Sequence, residues 1–374
     1  MDFSFTPEQE QLRASLSGYL RDNHSFQARQ AAVGSISGRN DALWRDFADR
    51  LGVLSLAGPD APDPFDVFIV MQELGAALVG EPFLETVVTA AVLLRSVGDA
   101  QAAGLLDRIA AGREIVVLAA AEPGGRWGTK STRTSAQRED GCWRLNGAKS
   151  MVMGAPWATT LLVSAATHAG TSLFALDPTA AGVKLHAYRT IDGRRAADIR
   201  LENVRVDPAS LLDPDGGASQ AIDAATDATI AALCAEALGV MRRILDDTIA
   251  YTRERRQFDQ PLASFQALQH RMVDMFRKIE LATSASYLAT MKLSAPAKER
   301  AMAISGAKLL VGEACRFVGQ NGVQLHGGMG MTEELAVGHY FKRATVIEGL
   351  FGTTDDHLAR YMRLTGGLPA DESG

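Results

Sequence analysis

A block of short strand-forming segments, bracketed on both sides by helix-forming sequence, constrains this fold more than any other feature of the chain. Ile115–Ala120, Trp143–Leu145, Thr160–Ser164, Ser172–Leu176, Val183–Ala187 and Ala197–Leu201 are brief and rich in strand formers. Turn residues divide them: Glu139-Asp140-Gly141, Asn146-Gly147 and Asp192-Gly193. This punctuation predicts a compact antiparallel β domain, closed by Asp213-Pro214-Asp215-Gly216-Gly217. Strands gathered in one block, not alternating with helices, argue for segregated α and β parts and against a doubly wound parallel sheet.

The flanks read as helices. Thr6-Pro7-Glu8-Gln9 is a helix start, with threonine as cap, proline in the first turn and an acid at the positive helix end. Leu12, Leu16 and Leu20 follow at helical spacing. Further helices are expected around Asp41–Leu51, Phe65–Leu78 and Ala100–Ala111, separated by Gly52, Gly58-Pro59 and Gly80-Glu81-Pro82. Beyond the strands, Ala221–Ala250, Arg271–Leu293 and Lys298–Asn321 are long and rich in small residues, which suits close bundle packing. The expected architecture is α+β in three domains: an N-terminal α-helical domain over 1–114, a central β domain over 115–215 and a C-terminal helical bundle over 216–374.

Lys and Arg total 38 against 44 Asp and Glu, with no basic run, so charge does not suggest nucleic-acid binding. Cys142, Cys234 and Cys315 lie far apart without CxxC spacing. They predict neither a disulfide framework nor a metal site, and fit a reduced cytoplasm. The N-terminus lacks the basic and apolar regions of a signal peptide, and no uninterrupted apolar stretch of spanning length is expected.

Gly327-Gly328-Met329-Gly330 invites a dinucleotide reading but fails its context, because a helix precedes it and a third glycine is misplaced. Alone it reads as a glycine helix end and a tight turn. Its surroundings carry more. Tyr251, Arg255, Phe258, Pro261, Phe265-Gln266-Ala267 and Gln269-His270 form one signature. Gln324, Gly327-Gly328, Gly330 and Tyr340–Ala344 form a second. In both, the chain resembles the acyl-CoA dehydrogenases. The resemblance implies an N-terminal helical domain, a central β domain and a C-terminal four-helix bundle. It also implies FAD-dependent oxidation of the Cα–Cβ bond of acyl-CoA thioesters, with electrons leaving through an electron-transfer flavoprotein. Residue by residue it implies Arg255 as a bidentate partner of the pyrophosphate. Gln257 and Phe258 would flank the adenosine half, and Gln266 would add a polar contact. Gln324 and Gly328, beside Gly327, would come from the neighbouring subunit, glycine allowing close backbone approach. Thr353 would contact FAD from a helix start, where it forms a capping-box pair with Asp356 and where free amides suit a phosphate or flavin edge.

The same resemblance exposes a departure. The family's catalytic glutamate precedes Gly-Thr, and here Phe351 precedes Gly352-Thr353. Glu348, followed by Gly349, is the alternative candidate. In members with the base on the long helix, the equivalent is Thr229, followed by Ile230 in place of the usual arginine. Asp227 is the nearest acid and a candidate contact to CoA. The loop TEPGAGS reads Ala121-Glu122-Pro123-Gly124-Gly125-Arg126-Trp127, and the W-I-T strand reads Met151-Val152-Met153. Ile230–Ala237, Phe265–Met275, Glu334–Arg343 and Gly80–Leu84 resemble the small subunit of pimeloyl-CoA-dehydrogenase-type proteins. That implies a tetramer with a second acyl-CoA dehydrogenase chain that carries the base. Two alternatives stay open: a non-catalytic structural subunit lending FAD contacts, and a homotetramer with a relocated base.

Overall fold

The structure is a computed structural model and describes residues 4–125, 132–213 and 215–367. Six helices come first: α1 (Pro7–Asn23), α2 (Phe26–Gly34), α3 (Asp41–Asp49), α4 (Pro64–Ala76), α5 (Ala91–Val97) and α6 (Ala100–Ala110). A π-helical stretch, Leu84–Ala90, leads into α5. Seven strands follow: β1 (Val116–Ala119), β2 (Ser135–Glu139), β3 (Cys142–Met153), β4 (Thr160–Thr167), β5 (Gly170–Leu176), β6 (Val183–Arg189) and β7 (Arg195–Val206). The chain then returns to helix in α7 (Ala218–Glu254), passes a two-strand hairpin, β8 (Arg256–Gln257) and β9 (Gln260–Pro261), and ends in α8 (Gln266–Met291), α9 (Ala297–His326), α10 (Ala336–Gly349) and α11 (Thr354–Thr365). The α–β–α order and the α+β class match the expectation.

The chain divides into two compact units. One comprises residues 1–29, 64–79 and 230–374, and the other 30–63 and 80–229. The first unit is a helical bundle. Its helices approach closely where side chains vanish: a Cβ at Gly75 of α4 would strike the Glu236 carbonyl, and one at Gly239 of α7 would strike the Gln72 carbonyl. The alanine-rich character of α7 therefore serves packing. By length and composition α7 could cross a membrane, at a mean hydropathy of 1.4, but 83% of its apolar window is buried inside the protein.

The second unit carries the sheet, ordered β1-β4-β2-β3-β7-β6 with β5 also on β4. Most pairings are antiparallel, but β1 runs parallel to β4, with Val116 opposite Thr160, and β2 touches β4 in parallel at Ser135 and Ala166. The sheet is thus mixed where a wholly antiparallel one was expected. Asp140-Gly141 forms the expected two-residue turn between β2 and β3, both residues at positive φ (49° and 77°). Asn146-Gly147 is not a turn. It lies inside β3 at a register shift, and any Cβ at Gly147 would clash with Thr134. The dipeptide makes a β-bulge because a neighbouring strand end presses on it.

Candidate functional site

Two helix ends in the bundle unit build a cavity of about 590 Å³. Near the end of α7, the Tyr251 ring stacks on His326 at the end of α9, with centroids 4.4 Å apart and planes 26° apart. Past Tyr251 the chain folds into β8 and β9, whose turn residues Phe258 and Asp259 sit at φ 54° and 65°. Past His326, Gly327 takes φ 62° and donates its amide to the Gln324 carbonyl, ending the helix. These segments bring Arg255, Gln257, Gln324, Gly327 and Gly328 around one cavity. Tyr251, Leu262, Leu268, Leu325, His326 and Met329 complete it. Tyr251 lay within the quoted signature, but its stacking role had no sequence signal.

The cavity suits a phosphate-bearing group. Arg255 is exposed, and its guanidinium has no hydrogen bond or ion pair to the described residues. Five donors are therefore available for oxyanions. Space above Gly327 and Gly328 is open, so a ligand can lie against bare backbone. Gln324 and Gly328, which the resemblance sets on a neighbouring subunit, also line the same cavity as Arg255 within one chain. Both helix ends return to one place, held by the Tyr251–His326 stack. Phe258 and Gln266 do not line the cavity. Phe258 points outward, 85% exposed, and Gln266 is the exposed first residue of α8.

A second cluster surrounds the connector from α10 to α11. Phe351 takes φ 56° and Gly352 φ 98°. Thr353 caps α11, accepting from the Asp356 amide while its own amide and hydroxyl donate to Asp356, so the capping box is formed. The Glu348 carboxylate accepts from Thr354 Oγ1 at 3.1 Å and pairs with Arg316 at 2.8 Å. Burial works against its charge, but Arg316 and Thr354 outweigh burial and hold Glu348 below the usual carboxylate range. A general base needs the opposite shift. The helix start expected to offer free amides is instead met by two carboxylates of its own chain, Asp356 and Glu348.

In the sheet unit, Glu122 is anchored at the exit of β1. Burial raises its carboxyl, but Lys149 at 2.8 Å and the Thr134 hydroxyl and amide, with the Arg133 amide, bring it down to about 2. Lys149 is fully buried and also donates to Ser164. Glu122 thus ties the end of β1 to Arg133 and Thr134, which lead into β2. Met151 is exposed at φ 50° on β3. Thr229 is buried, its hydroxyl bonded to Thr89 and to the Ala225 carbonyl, both at 2.7 Å. Asp227, the candidate contact to CoA, is buried, only 2% exposed. Arg126, Trp127 and Pro214 lie outside the described residues. Among the described residues no cluster of His, Cys, Asp and Glu could hold a metal.

Comparison with known proteins settles the lineage. The middle-domain model of acyl-CoA dehydrogenases matches residues 117–204, and their C-terminal-domain model matches residues 215–363. A Mycobacterium tuberculosis protein, acyl-CoA dehydrogenase IpdE2, is 30% identical over 90% of this chain and 91% of its own. The chain belongs to the acyl-CoA dehydrogenase family. The solved ChsE4-ChsE5 complex of M. tuberculosis superimposes with a TM-score of 0.87 at 26% identity, covering 99% of this chain and 100% of that one. The Tcur3481-Tcur3483 steroid ACAD does so with a TM-score of 0.85 at 26% identity, covering 96% and 98%. Acyl-CoA dehydrogenases are flavoproteins, and FAD is the cofactor of this one. Arg255, without a partner among the described residues, and the open glycines fit its diphosphate portion.

Proposed function

We propose that this acyl-CoA dehydrogenase is one subunit of a heteromeric enzyme that desaturates acyl-CoA thioesters, and that the proton-accepting carboxylate belongs to a second dehydrogenase chain. One observation carries the reading: the cavity that suits a diphosphate is kept, while position 351 carries phenylalanine and the nearby Glu348 is committed to Arg316 and Thr354. Two similar structures at 26% identity, Tcur3481-Tcur3483 and the ChsE4-ChsE5 complex, carry paired names. The sequence likeness to a pimeloyl-type small subunit points the same way.

In this reading Arg255 binds the diphosphate as a two-donor fork. Gly327 and Gly328 admit it against backbone, and Gln257 and Gln324 supply polar contacts at the rim. Phe258, Gln266 and Thr353 contact the cofactor only across a subunit boundary, since none lines this cavity. FAD, when bound, supplies the two-electron oxidation. An electron-transfer flavoprotein takes the electrons onward, and the assembly is cytoplasmic. The substrate class we favour is a ring-derived acyl-CoA, on the strength of the similar steroid ACAD.

A second reading, a non-catalytic subunit that only lends cofactor contacts, is favoured by the occupied α11 start and by Phe351. The test is purification of the chain alone and together with a second dehydrogenase chain, counting flavin per chain and recording bleaching by acyl-CoA. Flavin that appears only in the pair, and bleaches, supports the heteromer. One bleachable FAD per chain in the lone protein overturns it.

A further inference from the structure

We infer that Lys308 and His357 are positioning residues for residue 351, fixing the connector between α10 and α11 in a left-handed form whatever side chain residue 351 carries. The inference rests on the reading above, in which 351 is the place of the family's usual base.

Phe351 and Gly352 are both left-handed, at φ 56° and 98°. That conformation is unfavourable for an L-residue, and a bulky side chain there is an outlier. Such strain persists only where the surroundings over-determine it. Here they do. Lys308 of α9 is fully buried, and its Nζ donates to the Glu348 carbonyl at 2.8 Å and the Gly352 carbonyl at 2.9 Å. His357 of α11 is also fully buried, and its Nε2 lies 2.9 Å from the Phe351 carbonyl. A carbonyl only accepts, so this nitrogen carries the proton. Glu348 adds a third tie, from α10 to Thr354 at the start of α11. Gly312 lets α9 come close, because a Cβ there would strike the Thr354 hydroxyl.

Three carbonyls in five residues are therefore held by side chains from two other helices. None of these bonds uses the ring of Phe351. The arrangement is a mount for a side chain, kept although the chain carries a phenylalanine on it.

The mount can be read without catalysis. With para-fluorophenylalanine at 351 in the full chain, fluorine NMR should give one narrow resonance. His357→Gln, which keeps an N–H donor, should preserve it. His357→Leu and Lys308→Met should each split it or broaden it at least twofold. Phe351→Gly should also raise the melting temperature by about 2 °C in the parent, since glycine relieves the strain. In the Lys308→Met background that gain should vanish. Equal gains in both backgrounds, or a narrow resonance unaffected by either loss, would overturn the inference. Should Lys308→Met not fold, the His357→Leu and His357→Gln pair makes the same comparison. Failure of the assembly to bind FAD or acyl-CoA would sink the proposed function and leave both readouts standing.

Discussion

Arg343 of α10 grips Glu236 of α7 through two 2.7 Å hydrogen bonds, Nε to Oε1 and one terminal nitrogen to Oε2, with both side chains no more than 3% exposed. The fork matches the carboxylate edge to edge. It sits beside the tight α4–α7 crossing at Gly75, so it fixes the register of three helices. Buried pairs of this kind lose far more when one partner goes than when both do. Arg343→Met or Glu236→Leu alone should therefore destabilise the protein by about 3–5 kcal/mol in urea denaturation. The double substitution should recover most of that loss. Additive losses in the double variant would show that the pair is not coupled.

The Arg255 cavity yields a binding prediction. Arg255→Ala removes a charged donor from a site whose guanidinium has no competing partner among the described residues. Hydrogen bonds to charged groups contribute about 1.5–3 kcal/mol, so FAD should bind roughly 10- to 150-fold more weakly to the assembly. Gly328→Leu should do the same by filling the open space, whereas Gln266→Ala should cost less, since it removes only a neutral contact across the subunit boundary. Equilibrium dialysis against FAD checks all three. Undiminished flavin content in Arg255→Ala would remove this cavity from the cofactor site.

The parts of this protein that were legible from sequence are those fixed by local chemistry. The Thr6 and Thr353 caps form as their spacing suggests, and the glycine cluster ends α9 where a left-handed residue is required. Arg255, Gln324 and Gly328 were picked out through the family resemblance, not through local chemistry, and the cavity that they share within one chain was not legible. What escaped depends on distant partners. The π-helical turn at Leu84–Ala90 is fastened by the Thr89 hydroxyl, which bonds the Leu84 carbonyl and a threonine 140 residues away, Thr229. The bulge at Asn146-Gly147 answers to Thr134 on another segment. Asp227 is buried, and its neighbours in sequence leave no mark of that.

Position 351 gives the sharpest functional contrast. If the mount presents whatever side chain it carries, Phe351→Glu should place a carboxylate where the family's base is usual. In an assembly whose partner chain has lost its own base, the protein should then exchange the acidic α-hydrogen of acyl-CoA with deuterated solvent at least tenfold faster than with Phe351, within the range of general-base effects. Glu348→Gln should leave that exchange unaltered. It should lower stability by only about 1 kcal/mol, because its partner Arg316 is more than half exposed and screened. Mass spectrometry of recovered acyl-CoA reads the exchange. Loss of activity in Glu348→Gln, with the fold intact, would move the base back to Glu348.

Two buried histidines set the acid limit of this fold. Burial pushes His24 down to about 4, with the positive charge of Arg29 adding to it. Burial pushes His357 down to about 4 as well, against the opposing bond to the Phe351 carbonyl. Unfolded, each would titrate near 6.5. Between those values the unfolded chain binds more protons, so stability rises with pH there. The contribution is fully present above about 6.5 and is lost as pH falls to about 4. Each site can account for at most about 3 kcal/mol. Glu122 acts in a lower window: its folded value of about 2 means that its contribution, present above about 4.5, fades as pH approaches 2. Urea denaturation from pH 8 to pH 4 should therefore show a falling midpoint below pH 6.5, and His24→Phe should flatten part of that slope. If His24→Phe keeps the parent slope, its burial is not what limits stability in acid. Lys149→Met should instead lower the midpoint at neutral pH, since it strands Glu122 without its closest charge.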